Sequence, residues 1–177
     1  QQTALQSPNN TAVLLEGKLI TYASWAAQIS ALSENLQQQG VTPGVIIAAV
    51  IPTSVSATTT SNHNLAQQTF AIMTLYWACV EIGAIFFPIN GRFSVNQIEQ
   101  LIKRFQIHFI WQHSEIVSRE FRPGLIDLAH KVTANRQLDK SQRVCAAQKV
   151  NPHKPVNIIL TSGSSGTPKA AVHTLIN

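Results

Sequence analysis

The residues best suited to chemistry lie together near the end of the chain, in Thr161-Ser162-Gly163-Ser164-Ser165-Gly166-Thr167-Pro168-Lys169. Two glycines let the backbone fold tightly and bring N–H groups close to an anion. Hydroxyls at Thr161, Ser162, Ser164 and Ser165 add donors, and Lys169 adds a cation. That combination suits a phosphate group. The spacing is Gly-x-x-Gly-x-x-Lys rather than Gly-x-x-x-x-Gly-Lys-Ser/Thr, which excludes an ordinary P-loop NTPase. A bare Ser/Gly string is most simply a flexible connection. Here an apolar strand, Asn157 to Leu160, runs straight into it, and Pro168-Lys169 and Ala170-Ala171-Val172 follow, so a phosphate loop is the better reading.

Other reactive side chains are less promising. His108 alternates with apolar residues and reads as a packed strand histidine. His113, His130 and His153 have no metal-ligand spacing, so no metal site is assigned. Glu115 and Glu120 read as a solvated helix face, and Trp25, Trp77 and Trp111 as core. Cys79 sits in an apolar segment and Cys145 in a polar one. Two cysteines make neither a disulfide scaffold nor a CxxC zinc pattern, which fits a reducing, cytoplasmic setting.

Composition narrows the classes further. The 177 residues carry 13 Lys plus Arg against 8 Asp plus Glu, a formal +5. Charged residues make up 12%, roughly half the ~25% usual for a soluble chain. With 45% hydrophobic residues there is enough apolar material for a core, so disorder is not expected. No Lys/Arg run reads as a nucleic-acid stripe. Thr69 to Ile89 imitates a membrane span, but Glu81 at its centre, Gly83 and Pro88 divide it as a soluble fold would. Gln1 to Asn10 does not read as a basic-then-apolar signal peptide.

The elements that must position the loop alternate. Thr11 to Tyr22 reads as a β-hairpin around Glu16-Gly17-Lys18. Tyr22, Trp25, Ala26, Ile29, Leu32 and Leu36 form one helical stripe, which Gly40 is placed to end. The run Val45 to Ile51 is continuously apolar, as in a parallel strand covered on both faces. Pro52 to Gln68 reads as a long polar loop, either inserted or functional. A buried helix over 65–82, a stop at Gly83, a strand over 84–87 and a turn at Pro88-Ile89-Asn90-Gly91 follow. Ser94 and Gln97 have capping-box spacing ahead of a helix with Val95, Ile98, Leu101 and Ile102 on its apolar face. Ile107 to Trp111 is a short strand, and 113–154 is weak, with a helix over 115–130. Strand, helix, strand, helix, strand predicts an α/β fold with a largely parallel sheet flanked by helices.

Residues 161–169 resemble, position by position, the signature loop of the adenylate-forming acyl-CoA ligases and their luciferase and peptide-synthetase relatives. Leu19-Ile20-Thr21-Tyr22, Gln39 to Gly44 and Glu81 to Asn90 look like upstream segments of the same family. The resemblance covers about residues 11–112 and 156–174. The ending Lys169-Ala170-Ala171-Val172-His173-Thr174 looks most like the o-succinylbenzoate–CoA ligase branch, although Ala170 replaces the usual Gly and Leu175 stands where many relatives have His.

The resemblance implies an N-terminal part of the large domain, spanning 1–177 and ending just after the loop. It implies an acid–thiol ligase that uses ATP, Mg2+ and CoA to turn a carboxylate into an acyl-adenylate and then a thioester. The acid suggested is o-succinylbenzoate, in menaquinone biosynthesis. ATP phosphates would be held by Thr161, Ser162, Gly163, Ser164, Ser165, Gly166 and Lys169. The family's adenine, ribose, metal and catalytic-lysine positions lie downstream, so no catalytic residue is assigned here and the isolated chain is expected to be inactive and poorly stable. Partners are the small-molecule carboxylate, ATP and CoA, with a homo-oligomer left open. Alternatives are another acyl- or aryl-CoA ligase or adenylation domain, a non-catalytic nucleotide-binding remnant, and an amidase-signature hydrolase, for which Lys103 is the one upstream lysine at a comparable distance.

Overall fold

The computed structural model describes residues 2–51, 59–111, 151–161 and 169–176. A short helix α1 (Gln2–Gln6) precedes a hairpin of β1 (Thr11–Leu15) and β2 (Lys18–Thr21), which turns at Glu16-Gly17 as the sequence suggests. Then come α2 (Tyr22–Gln38), β3 (Ile46–Ile51), α3 (Thr59–Ile82), β4 (Ile85–Asn90), α4 (Val95–Phe105), β5 (Phe109–Trp111), β6 (Asn157–Thr161) and β7 (Lys169–His173). The main sheet has the order β5-β3-β4-β6-β7. All its pairings are parallel except β6 with β7. This is the α/β architecture expected.

Local chemistry explains the helix ends. Thr21 caps α2 by accepting the Ser24 N–H at 3.2 Å. At the other end Gly40 takes φ +92°, a left-handed conformation that costs glycine little. The Val41 N–H then reaches back to Leu36 O and the Gly40 N–H to Gln37 O, both at 3.0 Å. These close the helix and place Val41 and Leu36 together in the core. The Ser94–Gln97 capping box of α4 forms with both its hydrogen bonds. Of its expected apolar face, Ile98 and Leu101 are buried and Ile102 is half-buried, but Val95 is exposed.

Alternating side chains of the strands feed two cores. Ile47, Ala49, Phe86 and Trp111 pack against α2 and α3 on one face. Ala48, Val50, Phe87, Ile89 and Ile110 pack against α4 on the other. Burial on both faces is why β3 reads as an unbroken apolar run. Each fully buried Leu, Ile or Phe contributes about 1.5–3 kcal/mol. Polar groups tie α2 to α3: Trp25 Nε1–H donates to Thr74 Oγ1 at 3.0 Å, and Ser30 Oγ donates to Glu81 Oε1 at 3.2 Å. Among the described residues no helix is long and apolar enough to cross a membrane.

Several expectations need correction. α3 begins at Thr59, not 65, so the polar loop is shorter than 52–68. Thr, Ser and Asn favour caps and turns over helix interiors, which hides a helix start made of them. Strand β4 runs through Asn90, so 88–91 is not a turn, although it contains Pro88. N–H groups along β4 point alternately to its two neighbours: Ile85 N–H goes to Val45 O and Phe86 N–H to Val156 O. By that alternation the nitrogen of Pro88 faces β6, where the registered pairing is Phe86 with Asn157 alone. A strand tolerates proline where its ladder has already ended. His108 is exposed rather than packed. Trp111 is core, but Trp25 is half-buried and Trp77 is 42% exposed. The helix over 115–130, with His113, Glu115, Glu120, His130 and Cys145, lies outside the described residues.

Candidate functional site

The topology selects one end of the sheet. The chain leaves β3 through α3 on one face and leaves β4 through α4 on the other. In open α/β sheets such a reversal opens a crevice at the carboxyl ends of the strands, where ligands bind. Register shows that β3 and β4 end level there. Ile51 of β3 is paired with Asn90 of β4. Asn90 lies four residues beyond Phe86, as Thr161 lies four beyond its partner Asn157. Thr161 in turn faces Lys169 on β7. Across this end the order is therefore Ile51, Asn90, Thr161, Lys169.

Thr161 and Lys169 are the two expected phosphate ligands that the structure describes, and it brings them together. The Thr161 hydroxyl donates to the Lys169 carbonyl at 3.4 Å, and both residues are exposed. Ser162, Gly163, Ser164, Ser165 and Gly166 lie outside the described residues. The bracketing pair sits at the carboxyl end of the parallel strands. Sequence reasoning missed β7 itself. Alanine is a weak strand former, so Ala170 and Ala171 carried little β signal, and pairing with Leu160 and Ile159 makes the strand.

A second hollow of about 330 Å³ lies elsewhere, lined by residues that include Trp25, Trp77, Val80, Glu81 and Leu175. Leu175 follows β7, which runs antiparallel, and its N–H bonds Pro152 O at 3.1 Å ahead of β6. The hollow is therefore at the amino end of the parallel strands, away from the loop. Cys79 is buried in the α2–α3 core, where desolvation pushes its thiol up to about 12. A thiol so rarely ionised is structural, not a nucleophile. Among the described residues no group of three or more His, Cys, Asp or Glu could hold a metal ion.

The described elements form a largely parallel α/β sheet flanked by helices, with a Gly/Ser/Lys sequence between β6 and β7. Comparison gives the family: residues 65–177 match the AMP-binding enzyme family, and the chain belongs to it. It is 30% identical over 181 aligned residues to a feruloyl-CoA synthase from Amycolatopsis, an alignment that takes in 97% of this chain and 31% of that protein. The N-terminal subdomain of Klebsiella oxytoca NpsA, bound to 3-hydroxyanthranilyl-AMSN, superposes with a TM-score of 0.71 at 19% identity, over 98% of this chain and 39% of that one. The o-succinylbenzoate CoA synthetase of Bacillus subtilis, bound to a product analogue, has the same fold, with a TM-score of 0.71 and 18% identity over 98% and 32% of the two chains. The chain thus spans less than half the length of each of these proteins.

Proposed function

We propose that these residues form the phosphate-binding part of an ATP-dependent, AMP-forming acid–thiol ligase. The observation that carries this reading is the family's loop sequence at 161–169, bracketed by Thr161 and Lys169, which pair across β6 and β7. A carboxylate oxygen attacks the α-phosphorus of ATP, the bond to the β-phosphate breaks, and pyrophosphate leaves. The sulfur of CoA then attacks the acyl carbon of the acyl-adenylate, giving the thioester and AMP. Negative charge builds on phosphate oxygens in the first step, and preorganised donors stabilise it there. Backbone N–H groups of Ser162 to Gly166, the hydroxyls of Thr161, Ser162, Ser164 and Ser165, and the Lys169 ammonium are the donors. When bound, Mg2+ would neutralise part of that charge.

The first acid proposed is o-succinylbenzoate, which places the reaction in menaquinone biosynthesis. The run Lys169 to Thr174 supports that choice, while the structural likeness speaks for the fold alone. A hydroxycinnamate such as ferulate is the second choice, favoured by the 30% identity to a feruloyl-CoA synthase. The test is pyrophosphate release from ATP with CoA and each acid, by this chain and by the product of its uninterrupted reading frame. Turnover is expected from the latter alone, and it should be lost in a Gly163→Val, Lys169→Ala double variant. Full activity in that variant would remove the phosphate role. Because the relatives are so much longer, the 177-residue chain by itself is expected to release no pyrophosphate.

A further inference from the structure

We propose that the hollow at the amino end of the parallel strands binds an organic cation, an ammonium group carried on an apolar body. Its wall is drawn from Tyr22, Trp25 and Ile29 on α2, Trp77 and Glu81 on α3, and Leu175 after β7. At about 330 Å³ it falls within the range of small-ligand pockets.

Helical spacing puts these groups together. Tyr22, Trp25 and Ile29 lie three and four residues apart on one face of α2, and Trp77 and Glu81 lie four apart on α3. Two side-chain hydrogen bonds lock one helix to the other beside the hollow, Trp25 Nε1–H to Thr74 Oγ1 and Ser30 Oγ to Glu81 Oε1. The first uses the only donor of the Trp25 indole, so that residue offers the hollow hydrocarbon and ring face. Trp77 is held by an edge-on contact with Tyr76, their ring centroids 5.3 Å apart, and yet it remains exposed.

Glu81 sets the charge of the ligand. Among the described residues that line the hollow it is the one carboxylate, and none is Lys, Arg or His. It lies in the last turn of the 24-residue α3, where the helix dipole disfavours an anion. The Ser30 hydroxyl is its partner, and no cation among the described residues pairs with it. A half-buried carboxylate between apolar walls is costly to keep charged until a cation meets it. The ring faces of Tyr22, Trp25 and Trp77 attract that same charge. A lone carboxylate among carbon walls supplies too few oxygens for Ca2+ or Mg2+. An ammonium on an apolar body matches both the carboxylate and the walls.

The test uses the protein from its uninterrupted reading frame as wild type, Glu81→Gln and Trp77→Leu. Each is titrated in a calorimeter with 2-phenylethylammonium and with 2-phenylethanol, a neutral match of nearly the same shape. Wild type should bind the ammonium at least about tenfold more tightly than the alcohol. Glu81→Gln should weaken the ammonium about ten- to a hundredfold, as for one lost hydrogen bond to a charged group, and leave the alcohol unchanged. Trp77→Leu should weaken the ammonium about threefold or more, as for a lost cation–π contact. Equal affinity for the two probes, or an ammonium affinity that Glu81→Gln does not change, would overturn the proposal. So would a wild type that binds no ammonium. The amide of Gln can still accept the Ser30 hydroxyl, so an unchanged melting temperature separates lost binding from lost fold.

Discussion

The two wings of the main sheet are built differently. On β5, β3 and β4, helices cover both faces, and Ile47, Ala48, Ala49, Phe87 and Ile89 are fully buried. On β6 and β7, Ile159 is 41% exposed and Val172 52%, and one registered pair, Phe86 with Asn157, joins this wing to the rest. The first wing has a closed core. The second, which brackets the loop sequence, is the more exposed. Burial is thus divided between neighbouring strands, and β4 meets β6 in register at its first residue, Asn157.

The largest test of that contrast is Phe87→Ala. Deleting a fully buried aromatic leaves a cavity between the sheet and α4 and should cost about 3–5 kcal/mol in urea denaturation. A loss below about 1 kcal/mol would mean that the two wings are alike. The next effect is pH-dependent and belongs to the closed wing. Burial disfavours the Cys79 thiolate, so the folded chain holds that proton more tightly than the unfolded chain, with the thiol raised from 9.0 to about 12. Its contribution is complete below the ordinary thiol range and is lost as pH climbs through that interval. Melting temperature should fall between pH 9 and 12, and Cys79→Ala should flatten that slope relative to neutral pH. An unchanged slope would place the alkaline sensitivity elsewhere. The smallest effect falls on the open wing, where Ile159→Thr should shift stability by no more than about 0.5 kcal/mol. A cost like that of Phe87→Ala would show that Ile159 is covered after all.

Much of the scaffold was legible because its causes are local. The α2 stripe, the Gly40 stop, the Ser94–Gln97 box and the unbroken β3 run each need only neighbouring residues or burial on two faces. Of the proposed loop only Thr161 and Lys169 are described; they pair across β6 and β7, which the sequence did not foretell, and the residues between them lie outside the described structure. The exposure of Trp77 and His108 was not legible, since an aromatic residue in an apolar run gives no sign that its own face lacks a covering layer.

The sequence by itself determined the kind of element at most of the described positions and suggested the chemistry of the loop, because dihedral preference, periodicity and donor type belong to residues singly or in short runs. Only the tertiary structure decided that Pro88 lies within a strand, that Ala170 and Ala171 form one, and that Thr161 and Lys169 stand opposite each other. Strand pairing joins residues far apart in the chain. A proline is allowed or an alanine extended according to what lies across the ladder, and that partner is set by the packing of the whole sheet.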